Sequence, residues 1–224
     1  NPSLYAKIPY DAVRDFMPVC LVAETPYLMV VPVTVPARTV REFIDMAKAA
    51  PGKLNMASSG AGGMPHLSGE LFKIMTGVQL AHIPYKGTGA VFPDLIAGRM
   101  HVTFGDIVAT YPYAKADRLR ALGITSPKRA AQLPDIPTIA ESGVPGYDAV
   151  GWFAVFAPAN TPANVVAKLN AAIVKFVRKP ELKDRLAALG AEIVASSPDE
   201  LARIQRNDIA RWAKVVKESG AKAE

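Results

Sequence analysis

The sequence predicts an α/β fold with two lobes that are joined by two connections. From Pro26 onward, strand-like segments alternate with helical segments, and units of this length are typical of a parallel sheet with helices on its faces. Two long strand-like segments, near residues 27–33 and 149–157, bracket this α/β block. We therefore expect one lobe to comprise residues 32–150, and the other to combine residues 1–31 with residues 151–224.

The helices and strands of the block are predicted from the spacing of apolar residues and from the Pro and Gly residues that separate the segments. The first helix starts with a Thr39-x-x-Glu42 capping box and ends at Pro51-Gly52. Residues 132–147 are rich in Pro and Gly, which predicts an irregular connection. The expected elements, in chain order, are strand 27–31, helix 39–50, strand 54–57, helix 65–76, strand 78–83, helix 90–97, strand 101–104 and strand 119–125.

The C-terminal quarter is predicted to be helical after one more strand, at 149–157. Thr161 is expected to cap a helix with Pro162 in its first turn and an apolar face. A second helix at 180–189 and a third that opens with Ser197-Pro198-x-Glu200 and runs to about residue 219 complete the chain. The apolar face of the first of these helices consists of Val165, Leu169, Ala172 and Phe176.

A loop of small residues between a predicted strand and a predicted helix is the most informative stretch. Pro65 fits the first turn of that helix, and Gly77 can end it. A helix N-terminus carries unpaired N–H groups and the positive end of the helix dipole, so the loop is suited to a carboxylate or a phosphate. A Gly-rich turn that merely reverses the chain remains the alternative. The loop consists of Ser58, Ser59, Gly60, Ala61, Gly62 and Gly63.

Composition narrows the functional classes. Half of the 224 residues are hydrophobic, and the formal net charge is +6 with scattered Lys and Arg, so we expect no nucleic-acid binding. The only cysteine, Cys20, lies in an apolar strand-like run and is expected to be buried and inert. The three histidines lack metal-ligand spacing, so we expect no metal and no cofactor. The sequence begins without Met or a signal peptide, and we expect a processed or truncated product.

Further candidate residues lie where predicted strands end, since ligands of such sheets bind beyond the carboxyl ends of the strands. His66 either helps to hold a carboxylate or packs locally. In the segment Tyr85-Lys86-Gly87, Lys86 is either a cation for an anionic ligand or a solvated surface residue. Asp106 can accept hydrogen bonds from a ligand or a bridging water, or act as a general base.

Seven segments in this order carry a family resemblance. They are Asn1-Pro2-Ser3-Leu4-Tyr5, Pro9-Tyr10-Asp11, Asp15-Phe16-x-Pro18-Val19, Pro51-Gly52-Lys53-Leu54-Asn55, His66-Leu67-x-Gly69-Glu70-Leu71-Phe72, Pro84-Tyr85-Lys86-Gly87 and Leu133-Pro134-Asp135-Ile136-Pro137-Thr138. With these segments, the chain closely resembles the substrate-binding proteins of tripartite tricarboxylate transporters, the Bug family, over essentially its whole length.

The resemblance implies a two-lobed periplasmic binding protein of the type II fold. It implies capture of a small organic carboxylate for membrane transporter subunits, with the loop 58–63 as one ligand loop and Tyr85, Lys86, Gly87 and Asp106 in cleft-lining segments. Members normally carry a further N-terminal stretch before Asn1-Pro2. Lobe one is therefore expected to be incomplete, which favours self-association through an exposed apolar surface.

Two other functional classes stay open at this point. An effector-binding module of a transcription regulator shares the two-lobed architecture. A carboxylate-processing enzyme would use Asp106 or His66 as an acid–base group. The sequence contains no catalytic constellation around these residues, so we expect a receptor and not an enzyme.

Overall fold

The computed structural model describes residues 2–5 and 7–222. Within these residues, one long strand pairs with four of the six other strands of the sheet, and the remaining two strands are parallel neighbours. Asn1, Ala6 and residues 223–224, which were assigned to lobe one, lie outside the described residues. The elements, in chain order, are β1 (Phe16–Pro32), α1 (Val40–Ala49), β2 (Leu54–Ser58), α2 (Met64–Thr76), β3 (Leu80–Pro84), α3 (Thr88–Ile96), β4 (Val102–Asp106), α4 (Ile107–Lys115), β5 (Leu119–Ile124), β6 (Val150–Pro158), α5 (Ala163–Val177), α6 (Pro180–Ala188), β7 (Glu192–Ile193) and α7 (Pro198–Ser219).

The long strand β1 changes partners between Pro26 and Tyr27. Its first part pairs with β6 and, at two positions, with β7, whereas its last part pairs with β4 and β5. The chain crosses back to the part of the sheet that contains β6 between Ala149 and Val150. Buried Thr125 joins the two crossings, because its Oγ1 accepts from the N–H of Tyr27 at 2.7 Å and its carbonyl accepts from the N–H of Ala149 at 2.9 Å. The division into lobes at residues 31/32 and 150/151 stays a prediction.

The sheet is mixed, and the prediction of a parallel sheet was wrong for β1. In the order β3-β2-β4-β1-β5, the strand β2 runs parallel to both β3 and β4, as expected for strands joined by helices. The strand β1 runs antiparallel to β4 and β5. It enters this part of the sheet directly from its pairing with β6, so no helical crossover sets its direction.

Helices cover both faces of the part of the sheet that contains β3, β2, β4, β1 and β5. The helices α1 and α2 pack on one face around Phe43, Phe72, Phe104 and Tyr147, which are all buried. The helices α3 and α4 pack on the other face in a second apolar cluster. Alternate residues of β1 enter the two clusters, which is the pattern of a strand that is buried on both sides.

Two helix predictions need correction. The helix α4 was missed, because Pro112 within it and the polar Gly105-Asp106 before it are typical of a turn. Thr161 does not cap α5; its hydroxyl donates to the carbonyl of Pro158 at 2.8 Å, and Pro162 stands at the N-cap position. The helix α1 has the predicted cap, with the Thr39 side chain accepting from the N–H of Glu42.

Candidate functional site

Three helices begin side by side at one edge of the sheet. The strands β3, β2 and β4 are parallel neighbours, so α3, α2 and α4 start where these strands end. Their N-cap residues are Gly87, Gly63 and Asp106, and none of the three makes a side-chain cap hydrogen bond. By contrast, Thr39 and Ser197 cap α1 and α7 with their hydroxyl groups. Three helix starts without side-chain caps concentrate free N–H groups and positive dipole ends in one place.

Backbone hydrogen bonds fix the first two of these loops against each other. The N–H of Tyr85 donates to the carbonyl of Ser58 at 2.9 Å, and the N–H of Gly87 donates to the carbonyl of Ser59 at 3.1 Å. The parallel pairing of β2 with β3 therefore continues past both strand ends. As a result, the two predicted loop segments, 58–63 and 85–87, form one surface.

The third strand end, Gly105-Asp106, where β4 passes directly into α4, joins this surface through a side-chain contact; it is called the third loop below. The hydroxyl of Thr88, in the first turn of α3, donates to Oδ2 of Asp106 at 3.2 Å. A cavity of about 10 Å³ lies between the three loops, which is close to the space that a single water needs. Its polar lining comes from Ser59, Thr88, Thr103 and the backbone of Gly105.

Within the loop 58–64, some N–H groups are used internally and others are free. The N–H of Gly60 donates to Oγ of Ser58 at 3.3 Å, and the N–H of Gly62 donates to Nδ1 of His66 at 3.0 Å. Among residues 2–5 and 7–222, no acceptor faces the N–H groups of Ala61, Gly63 and Met64. These three donors can bind an anion.

A buried chain of polar side chains lies behind the loop on α2. Nε2 of His66 lies 3.4 Å from Oε1 of Glu70, and Nζ of Lys73 lies 2.8 Å from Oε2 of the same carboxylate. Only 5% of the His66 side chain and 4% of the Glu70 side chain are exposed. Burial alone would raise the pKa of Glu70, but hydrogen bonds from His66 and Lys73 outweigh it, and the pKa is lowered. Glu70 is therefore an anion held by two neighbours.

The ring of His66 stacks on the ring of His82 from β3, with the centroids 3.6 Å apart and the planes at 6°. Nε2 of His82 forms a 2.7 Å hydrogen bond with Oγ of Ser58, whose hydroxyl also lies 3.0 Å from the carbonyl of Gly60. Burial, followed by the neighbouring His66, lowers the pKa of His82 to about 4. His82 is therefore neutral at pH 7.

The structure brings ten of the eleven predicted residues to the three strand ends and the turns that follow them, and His66 to the first turn of α2, but several side chains turn away from the surface. Ser58 and His66 are buried and bonded internally. The hydroxyl of Tyr85 donates to Asp94 at 2.7 Å, and burial, followed by this bond, raises the pKa of Tyr85 to about 12. Lys86 is exposed and has no ion pair within the described chain. Contact of these residues with a ligand stays a prediction.

Sequence reasoning missed two side chains that build this region and the helix that follows Asp106. Thr88 was not singled out, although a hydroxyl directly after Gly87 at a predicted strand end is a usable signal. His82 was not predicted to belong to the site. Its contact with Ser58 depends on the register in which Ser58 pairs with Pro84, two residues after His82, and a single sequence does not reveal that register.

A larger cavity, of about 490 Å³, borders the first of the three loops. It lies between the N-terminal segment, β6, α7 and the start of α2, and its walls are mainly apolar. Trp152, Phe156 and Trp212 line it, and Nε1 of Trp152 donates to Asp208 at 2.7 Å. Of the predicted site residues, only Gly62 reaches this cavity.

The described residues contain neither a candidate membrane span nor a candidate metal site. No helix there combines the length and the apolar character that a bilayer crossing requires. Within the same ranges, no group of three or more His, Cys, Asp or Glu side chains is arranged to hold a metal ion. Cys20 is a free, buried thiol whose pKa is raised by burial.

Two relatives align with nearly the whole chain. A protein encoded in the tcbD–tcbE intergenic region of Pseudomonas sp. strain P51 is 39% identical over 215 residues, which cover 96% of this chain and 64% of the relative. Protein BugT of Bordetella pertussis is 35% identical over 220 residues, which cover 98% of this chain and 68% of the relative. The chain thus spans about two thirds of the length of these relatives.

Solved structures match the fold at useful sequence identity. R. palustris Rpa4515, solved with adipate, has a TM-score of 0.86 and 38% identity, and the match covers 100% of this chain and 75% of that one. MatC from Rhodopseudomonas palustris, solved with bound malate, has a TM-score of 0.81 and 31% identity, with 96% and 74% covered. A family model described as the tripartite tricarboxylate transporter family receptor matches residues 1–221. The chain therefore belongs to the tripartite tricarboxylate transporter receptor family.

Proposed function

We propose that this protein is a periplasmic receptor that captures a small organic carboxylate for a tripartite transporter. The observation that carries the proposal is the meeting of three helix starts without side-chain caps at one edge of the sheet. An anion there accepts hydrogen bonds from free N–H groups and lies at the positive ends of three dipoles. Two related structures were solved with adipate and with malate, which makes dicarboxylates the natural first probes.

The N–H groups of Ala61, Gly63 and Met64 would donate to one carboxylate of the ligand. Lys86, exposed at the rim, would add a mobile positive charge. Asp106 disfavours a second carboxylate directly beside it and suits a hydroxyl group or a bridging water. Domain closure about the two crossings at Thr125 would then exclude solvent, provided that the ligand interacts better with the closed form. The membrane subunits of the transporter would bind this closed form.

Geometry supports a receptor more than an enzyme. Ser58 and His82 form a hydrogen-bonded pair like that of a serine nucleophile and its base. However, Ser58 has 0% relative exposure, and its hydroxyl is also engaged with Gly60. A substrate carbonyl has no access to this oxygen. We therefore propose binding without catalysis.

The comparison of Met64→Pro with Met64→Ala tests the carboxylate site. Met64 is the first residue of α2, where proline fits, and the preceding Gly63 has φ −73° and ψ 164°, which a following proline accepts. Both variants lose the Met side chain, but only proline also loses the free N–H. A hydrogen bond to a charged group contributes about 1.5–3 kcal/mol, so the proline variant should bind adipate or malate roughly 10- to 150-fold more weakly than the alanine variant.

Calorimetric titration measures both affinities, and the fluorescence of Trp152 and Trp212 reports closure independently. The thermal midpoints of the two variants should agree within a few degrees, which separates lost binding from lost folding. Equal affinities in the two variants would overturn the role of this N–H group. Absence of any response of the wild-type chain to a panel of organic acids would overturn the receptor proposal itself.

We also propose that residues 1–224 self-associate through β6 and α5. Among the described residues, β6 pairs on one side only, with β1. Its outward side chain Phe153 is 62% exposed, and most of the predicted apolar face of α5 is exposed too, at Val165, Leu169 and Phe176. An apolar edge strand beside an apolar helix face favours pairing with a second copy. Sedimentation velocity across a concentration series tests this, and a monomer at every concentration would refute it.

A further inference from the structure

We propose that His66 and His82 are positioning residues that hold the loop 58–64 in the conformation that leaves its three N–H donors free. This role rests on the proposed carboxylate site, since it explains how that site is prepared before a ligand arrives. The two rings do not themselves need to touch the ligand. They form the wall behind the loop, with one ring from α2 and one from β3 in parallel contact.

His66 is fixed from both sides of its ring. Nδ1 accepts from the N–H of Gly62, so the ring proton must reside on Nε2, which faces the buried anion of Glu70. Lys73 holds Glu70 from the other side. Gly62 has φ +77°, a conformation that needs glycine, and the bond to His66 ties this turn to the helix.

His82 fixes the beginning of the same loop through Ser58. With the Ser58 hydroxyl donating to the carbonyl of Gly60, its oxygen accepts from the N–H of Gly60 and from Nε2 of His82. All hydrogen-bonding capacity of this buried hydroxyl is then used. The stacked contact with His66 links the two anchors, so the segments around Gly60 and Gly62 are held together.

The hydrogen bond from Gly62 requires a lone pair on Nδ1 of His66, and His82 is neutral at pH 7. The charged groups that face the pair are Glu70 and Lys73, both on α2. A proton added to Nδ1 of His66 would point at the N–H of Gly62 and break the anchor. Two positive rings 3.6 Å apart would also repel each other. The position of Gly62 therefore depends on the lone pair of Nδ1 of His66.

Two substitutions of His66 separate its two contacts. In His66→Asn the side-chain amide oxygen can replace Nδ1 and accept from Gly62, whereas the contact with Glu70 is lost. In His66→Gln the amide nitrogen can replace Nε2 beside Glu70, whereas the acceptor for Gly62 is lost. We expect the Gly62 amide to exchange with solvent at least tenfold faster in His66→Gln than in His66→Asn, measured by NMR without ligand.

Affinity should follow the same order. Adipate or malate should bind at least tenfold more weakly to His66→Gln than to His66→Asn, even where the thermal midpoints of the two variants agree. If the affinity of each variant simply falls in proportion to its thermal midpoint, His66 has a merely structural role and the proposal is overturned. Equal exchange rates of the Gly62 amide in both variants would overturn it as well. If the wild type binds no acid but the exchange rates differ as expected, the loop-holding role stands and the carboxylate site falls.

A second pair of variants covers the case in which His66→Gln does not fold. Ser58→Ala removes the hydroxyl that links His82 to Gly60. Ser68→Ala, on α2, removes a buried hydroxyl that has no hydrogen-bond partner in the described structure. The Gly60 amide should exchange faster, and adipate or malate should bind more weakly, in Ser58→Ala only. Equal behaviour of the two serine variants would overturn the role of His82.

Discussion

Lowering the pH from 7 to 4.5 should destabilise the protein through His82. Its pKa is lowered from 6.5 to about 4 in the folded state, first by burial and then by its neighbour His66. At pH 7 the ring is neutral in the folded state and mostly neutral in the unfolded state, so it contributes little pH dependence there. Between pH 6.5 and 4, the unfolded chain binds a proton that the folded chain does not bind. The free energy of unfolding therefore falls as the pH falls through this window.

The size of the effect follows from the same two values. The gap between 6.5 and about 4, at roughly 1.4 kcal/mol per pH unit, corresponds to a loss of about 3 kcal/mol when the window has been crossed. About 2 kcal/mol of this should be lost by pH 5, because most unfolded chains are protonated there and folded chains are not. This is a large fraction of the stability of a typical domain.

Urea unfolding of the wild type and of His82→Gln at pH 7, 6, 5 and 4.5 provides the measurement. The Gln amide can keep a hydrogen bond to Ser58 but does not titrate. Other shifted groups, such as His101 and Glu24, are present in both proteins and cancel in the difference. Glu70, whose pKa is lowered, loses its stabilising contribution only below about 4.5, outside this range. Parallel stability curves for the two proteins would refute the reasoning.

The remaining predictions concern a side chain at the site and the exposed edge. Tyr85→Phe removes a hydroxyl that donates to Asp94, so it should cost about 1 kcal/mol in urea unfolding but change adipate or malate affinity less than twofold; a tenfold loss of affinity would place the hydroxyl at the ligand. Phe153→Glu puts a charge on the exposed face of β6 and should shift the sedimenting species to the monomer, with a thermal midpoint within a few degrees of the wild type, whereas an unchanged dimer would exclude β6 as the interface.

Elements with local signals were predictable from the sequence. The helix α1 was expected from a capping box and an apolar face, and both are present, with Val40, Phe43, Ile44 and Ala47 buried. The helix α2 was expected to end at Gly77, which is its left-handed C-cap residue. These signals lie within one or two turns of the residue that they specify, so no knowledge of the tertiary structure is needed.

Features that depend on distant pairing were not predictable. The direction of β1 in the sheet follows from pairs such as Tyr27 with Asp106, which are far apart in sequence. The stacking of His66 on His82 requires both the β2–β3 register and the placement of α2 on the sheet. For the site, the sequence predicted the three loops correctly as strand ends, but which side chains turn inward depended on packing that periodicity does not encode.

The N-caps of α1, α2, α3, α4 and α7 bear on the proposed carboxylate site. Thr39 and Ser197 cap α1 and α7, and such a cap contributes about 1 kcal/mol compared with alanine. At the three converging helix starts, the N-cap residues are two glycines and an aspartate whose carboxylate accepts from Thr88. The helices α5 and α6 also begin without a side-chain cap hydrogen bond, at Pro162 and Lys179, so the three converging starts differ from them by lying together at one edge of the sheet. Helix starts that lie together at one edge of a sheet are suited to an anion, and in the proposed site a bound carboxylate would supply the missing cap.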